Sequence, residues 1–335
     1  MFLSLLAALM LLVAACEEDV ADDPDDEPDE EEEEEPDEDP DEDEEEEPDE
    51  DPDEDEEEEP DEEEAEEPAN GEVSFAWIPW EENIANTFLW VEILEREGYE
   101  ASEEQYDVAP TFAAVAGGDE DVFLDMWLPT THADYEEEFG DELEELGVWF
   151  DDPATVELTV PEYVCEDEGV CSHEDLAENP DLFGGEITGI EAGAGMMQTL
   201  DEEVMPTYGL DEEFDLIDSS TSAMRAELET AYDNEEPIVV TLWTPHPEYA
   251  DKDLHILEDP EGAWGEGEEL HGVARPGFSE DMPEVAEWLE NFSIGSDDMG
   301  ALQATIEEAG EGNEQEGAAE WVDENEDLVD EWLGR

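Results

Sequence analysis

Positive charge is what this chain of 335 residues has least of. Five basic side chains (Arg96, Arg225, Lys252, Arg275 and Arg335) stand against 117 acids, for a net charge of −112. A surface of that sign repels phosphate, which argues against nucleic acid as a partner. It also disfavours docking on anionic lipid. Cysteine is scarce too, with three residues. Cys165 and Cys171 lack the histidine spacing of a zinc site. No calcium loop of the D-x-D-x-D-G type is present. No nucleophile–base pair or metal cluster stands at motif spacing, so neither catalysis, cofactor nor metal is expected.

Long apolar runs are missing as well, except at the start. "MFLSLLAALMLLVAAC" is too short to span a bilayer, but it has the apolar centre and small-residue end of an export signal over residues 1–15. "LVAAC" resembles a bacterial lipobox, which makes Cys16 the expected lipid-bearing residue and places the protein on the outer face of the cell membrane. Simple secretion is the alternative. An exported protein can oxidise Cys165 and Cys171 of "VCEDEGVC" into a small disulfide loop. Residues 16–70 are almost wholly Asp, Glu and Pro, with "EEEEPDEDPDED" beginning at Glu32 and again at Glu44. Such a stretch has no apolar groups to offset ordering entropy, so it reads as a disordered, extended spacer. The acid excess as a whole suits very high salt, where the Debye length falls to roughly 3 Å at 1 M. A calcium-collecting surface protein is the competing reading.

From Gly71 onward the pattern changes. "VSFAWIPW" reads as a strand, and "ANTFLWVEILEREGY" as a helix stopped by Gly98. "VFLDMW", "VELTVPEYV", "EITGI", "FDLIDSS" and "PIVVTLW" read as further strands, with helices between them and a helical C-terminal part from Pro283. This alternation predicts an α/β protein with largely parallel sheets. "LTVPEYV" and "VVTLWTPH" look like crossovers between two lobes. The expected division is 71–157 and 245–335 for one lobe and 158–244 for the other, with a hinge and a central cleft.

Two segments share a design: "DVFLDMWLPTTH", with Trp127, Pro129 and His132, and "IVVTLWTPH", with Trp243, Pro245 and His246. Each puts a tryptophan at a strand exit, and Trp80 follows the first strand in the same way. Carboxyl ends of strands are where α/β sheets gather ligands. An indole face attracts a quaternary ammonium through its quadrupole. Trp80, Trp127 and Trp243 are therefore the candidate walls of one cationic-ligand cage. Trp90, Trp149, Trp288, Trp321 and Trp332 read as core.

At this point the chain resembles the substrate-binding components of glycine betaine/proline betaine ABC importers. The resemblance runs from about residue 73 to 335 and rests on "WEEN", "FLDMWLPTTHADY", "LTVPEYV", "ITGIEAGAGMM", "SSTSAM", "IVVTLWTPH", "DLHILEDPEGAWGEGEELHGVARPGF" and "AAEWVDENEDLVDEWL". It implies a two-lobed venus-flytrap fold of the periplasmic-binding-protein type and no catalysis. It implies delivery of glycine betaine to a membrane permease and its ATPase by a protein acting as a monomer. By the same resemblance the cage is Trp80, Trp127 and Trp243. The ligand carboxylate is held by His132 and by backbone N–H groups of Gly195 and Met196. A "GAG" turn opening a helix suits that task, since backbone amides approach an anion there. His246 and Tyr249 are candidates for supporting the cage from behind. Choline or carnitine is the alternative ligand for the same fold.

Overall fold

A computed structural model describes residues 70–335. The expected export signal, Cys16 and nearly all of the acidic spacer lie outside the described residues. Among these residues, ten strands form two five-stranded sheets. The first sheet contains β1 (Glu72–Trp77), β2 (Glu100–Gln105), β3 (Val122–Leu128), β4 (Glu144–Val148) and β10 (Glu269–Ala274), in the order β2-β1-β3-β10-β4. The second contains β5 (Thr155–Pro161), β6 (Glu186–Thr188), β7 (Asp215–Ile217), β8 (Val240–Thr244) and β9 (Leu254–Ile256), in the order β7-β6-β8-β5-β9. Helices cover both sheets. The result is the two-lobed α/β fold of periplasmic binding proteins.

The sheets are mixed rather than largely parallel. β1 pairs parallel with β2 and β3, and β6 with β7 and β8. β10 runs antiparallel to β3 and β4, and β5 antiparallel to β8 and β9. The reason is connectivity. Parallel neighbours need a crossover, usually helical, within their own layer. β5 and β10 instead enter directly from the opposite sheet and are free to pair the other way.

Sheet membership also moves the expected lobe boundaries. Residues 155–157 belong to β5, and Leu254–Ile256 pairs with β5 through Thr159, Val160 and Pro161. The chain therefore changes sheet between Val148 and Thr155, and again between Ile256 and Glu269. The two crossing segments bond to each other: Ala154 N–H donates to the Glu268 carbonyl at 3.2 Å, and Glu268 N–H to the Ala154 carbonyl at 2.7 Å. β9 is three residues long and polar in part, which hides it from hydrophobic patterning.

Local chemistry explains the elements that carry the site. Helix α1 (Glu81–Arg96) starts with Glu81 and Glu82 and ends with Arg96, matching its macrodipole. Its buried amides tie it to the first sheet: Asn83 Oδ1 accepts from Ile78 N–H, and Asn86 Nδ2 donates to the Leu124 carbonyl. Gly98, at φ 86°, ends it as its sequence position predicts. The core strand β3 is buried from Val122 to Trp127 and is almost continuously apolar, as a strand covered on both faces should be. Trp90, Trp149, Trp321 and Trp332 pack in the helical layer with Phe292. Cys165 and Cys171 are joined by a disulfide across a short turn, with their Cα atoms 4.7 Å apart.

Candidate ligand site

The three tryptophans singled out in the sequence come to one cavity. Trp80 follows the carboxyl end of β1, Trp127 is the penultimate residue of β3, and Trp243 is the penultimate residue of β8. They line the cavity together with Glu82, Thr131, Val156, Ile190, Ala194 and Met196. The first sheet and its helix thus supply one side, and the second sheet the other. Trp80 and Trp243 have ring centroids 6.4 Å apart and planes inclined at 58°. That is close to the angle between two faces of a three-sided box. Val156 is the register partner of Trp243 across β5 and β8, so an aliphatic group flanks the third wall.

The residues behind the walls fix their orientation. His132 stacks on Trp80, with centroids 5.8 Å apart and planes 14° apart. Its Nδ1 accepts from the backbone N–H of Trp127 at 2.9 Å. In the neutral ring the proton is then on Nε2. Complete burial lowers its pKa to about 3, so His132 is an uncharged donor. Its Nε2 is buried without a partner among the described residues. His132 is not itself on the cavity wall; Thr131 takes that place. Thr131 is held in turn by Glu268, whose carboxylate accepts from the Thr130 amide, the Thr131 amide and the Thr131 hydroxyl.

Met196 lies on the cavity wall and Gly195 beside it. A Cβ on Gly195 would fall 1.7 Å from the Thr131 carbonyl oxygen, so only glycine permits this approach of the second lobe to the first. The amides of Met197 and Gln198 are taken by the Ala194 carbonyl. Those of Gly195 and Met196 have no acceptor among the described residues. His246 meets Trp243 edge-on at 4.6 Å, and its Nε2 lies 3.2 Å from Glu81 Oε2. Tyr249 is further away: its hydroxyl bonds to Thr159 and Glu157 behind the second sheet, not to a cage residue.

Reading the sequence missed two acids. Glu82 and Asp125 are both fully buried. Trp243 Nε1 donates to Glu82 Oε2 at 2.6 Å, and Trp127 Nε1 to Asp125 Oδ1 at 3.2 Å. A signal existed for Asp125, the single acid in "VFLDMWL". Glu82 stands two residues after Trp80 but is masked by the general acid excess.

Two α/β lobes joined by paired crossovers, with an aromatic cavity walled from both, define a two-lobed solute-binding protein. The chain belongs to the family of substrate-binding domains of ABC-type glycine betaine transport systems, whose model matches residues 71–324. Among curated relatives it is 36% identical over 146 residues to the glycine betaine/carnitine transport binding protein GbuC of Listeria monocytogenes. That match covers 44% of this chain and 48% of the relative, so the chain spans about half of its length. Among solved structures, lactococcal OpuAC, closed and complexed with glycine betaine, superposes with a TM-score of 0.72 at 28% identity, covering 78% of this chain and 99% of that one. A choline-binding protein of an ABC transporter, in complex with choline, gives a TM-score of 0.72 at 27% identity, covering 78% and 91%.

Proposed function

We propose that this protein binds glycine betaine, or a closely related quaternary ammonium solute, outside the cytoplasm and delivers it to the permease and ATPase of an ABC importer. The observation that carries this reading is the cavity walled by Trp80, Trp127 and Trp243 from two different lobes. A permethylated nitrogen has no N–H to donate, so aromatic faces rather than hydrogen-bond acceptors recognise it. Each indole contributes roughly 0.5–2 kcal/mol when desolvated. Three give roughly 1.5–6 kcal/mol, or about 1–4 decades of affinity. The same walls reject hydrated sodium and potassium.

The carboxylate end is met by neutral donors. The amides of Gly195 and Met196, at the cavity wall, are the donors nearest to hand; His132 Nε2–H, buried just behind Thr131, joins them once the Thr131 turn gives way to the ligand. Ligand binding then draws the lobes together, and the closed form is what a permease recognises. A lipid on Cys16 and the acidic stretch after it would tether this body outside the membrane. Compatible-solute uptake accords with a chain of net charge −112.

Choline is the second reading, favoured by the TM-score of 0.72 to the choline-bound protein. Titration calorimetry of the full chain with glycine betaine, choline and carnitine at high salt separates the two. Betaine is expected to bind at least tenfold more tightly than choline. Equal affinities would overturn the carboxylate site, and no heat from any quaternary ammonium would overturn the reading as a whole.

A further inference from the structure

Beneath the cage, Glu82 and Asp125 form an arrangement that the ligand contacts above do not use. Glu82 comes from the first turn of α1 and lines the cavity; Asp125 comes from the buried middle of β3. Each gives one oxygen to a cage indole, Glu82 Oε2 to Trp243 at 2.6 Å and Asp125 Oδ1 to Trp127 at 3.2 Å. Each has its other oxygen, Glu82 Oε1 and Asp125 Oδ2, buried without a partner among the described residues. The two acids are close enough for each to bear on the other's ionisation. A carboxylate has no proton to donate, so one proton held between two neighbouring buried acids would satisfy an oxygen of each.

We propose that Glu82 and Asp125 share one proton in the closed protein, and that this proton-linked pair positions Trp127 and Trp243, the cage walls of opposite lobes. The chain of bonds runs Trp127 N–H to Asp125, Asp125 to Glu82 through the shared proton, and Trp243 N–H to Glu82. It crosses the cleft from β3 to β8. Without the proton, two carboxylates would be buried side by side, which is strongly unfavourable. With it, the pair carries one negative charge under a site that takes a cation. Burial pushes the Asp125 carboxyl up to about 8, and burial with the Asp125 charge pushes Glu82 well above the usual carboxylate range.

Other charged groups near the pair have partners of their own. On α1, Glu81 pairs with Arg225 of the helix Thr221–Asn234 at 2.8 Å and faces His246. On β5, Glu157 bonds to Thr244 and Tyr249. Glu268, before β10, is occupied by the Thr131 turn. His132, behind Trp80, is neutral. None of these supplies the missing proton.

The sign of the linkage follows. Opening withdraws Trp243 and lets water reach the pair, lowering both acids toward their ordinary values. Closure therefore takes protons up. It is fully favoured below the ordinary carboxylate range of about 4, is weakened progressively as pH rises toward the raised Asp125 value of about 8, and levels off above that.

This inference rests on the cage reading, and the test separates the two. The full chain is titrated with glycine betaine at high salt from pH 5.5 to 8.5, in two buffers of different ionisation enthalpy. Binding is expected to take up a fraction of a proton, at most one, and to weaken with pH by up to about tenfold per unit. In Glu82→Gln the amide supplies the donor permanently. Its affinity is expected to stay within about threefold of wild type at pH 6 and to lose the pH slope. Glu82→Leu is expected to lose at least tenfold at every pH. Betaine binding without proton uptake, or a Glu82→Gln protein as impaired as Glu82→Leu, would overturn the shared proton and leave the cage intact. If Glu82→Leu does not fold, the wild-type proton count and the glutamine variant still decide. Absence of any betaine binding would overturn the function itself.

Discussion

Trp243 is the cavity wall that the second lobe supplies, and its ring is fixed from two directions, by Glu82 at Nε1 and by the edge of His246. Trp243→Ala is expected to weaken betaine binding at least tenfold while far-UV circular dichroism stays unchanged; unaltered affinity would remove it from the cage. His132 works differently. Its buried ring is neutral, so it offers one hydrogen bond and no charge. His132→Ala is expected to raise the Kd for betaine about tenfold and the Kd for choline little, since choline has no carboxylate. Equal losses in calorimetry would mean that the imidazole only props Trp80. At this scale the sequence singled out the three indoles that the fold brings to one cavity, two of them because tryptophan shortly before proline at a strand exit is uncommon chemistry. It hid Glu82 and Asp125, because one buried acid is inconspicuous among 117 acids. His132 was legible as a residue, but its place behind Trp80 depends on the turn that bonds its Nδ1 to the Trp127 amide.

Elements bring those residues together, and their contacts across the cleft are few and specific. The loop before Gly195 touches the Thr131 turn, and Tyr135 donates to the Gly193 carbonyl at 3.2 Å. Arg225, from the helix Thr221–Asn234, bonds to Glu81 of α1, to Glu248, and to Glu307 of the helix Ser296–Ala309. The two sides are thus joined by close backbone approach, the Arg225 hub and the indole contacts of Trp243 with Glu82 and Trp80. Gly195→Ala puts a methyl group into the Thr131 carbonyl, so it is expected to block closure. Betaine affinity should fall at least tenfold while thermal unfolding of the ligand-free protein shifts little; normal affinity would show that the loops can part. Long periodic elements were legible beforehand: α1 with its Gly98 stop, β3 and β8 with their apolar runs. The antiparallel entry of β5 and β10 and the pairing of β9 were not. Pairing direction is decided by where the chain crosses between sheets, and local periodicity carries no information on that.

For the whole molecule the dominant physical fact is repulsion. A net charge of −112 over 335 residues, with five bases to offset it, must be screened or neutralised before the chain can be compact. The folded body is therefore expected to lose helicity by circular dichroism in dilute buffer and to regain it as salt is raised toward 1 M. Full helicity at low salt would show that the lobes alone overcome the repulsion. High salt weakens exposed ion pairs but not cation–indole contacts inside a desolvated cavity, so an aromatic cage is a recognition device that keeps working in brine. The tethering proposed through Cys16 and the acidic segment would place such a site where solute arrives. The most direct test of the cage is a crystal structure with glycine betaine grown at high salt. The trimethylammonium group is expected within about 6 Å of the ring centroids of Trp80, Trp127 and Trp243 at once, with the carboxylate toward His132, Gly195 and Met196. A ligand bound elsewhere, or indoles that stay apart around an empty cleft, would contradict it.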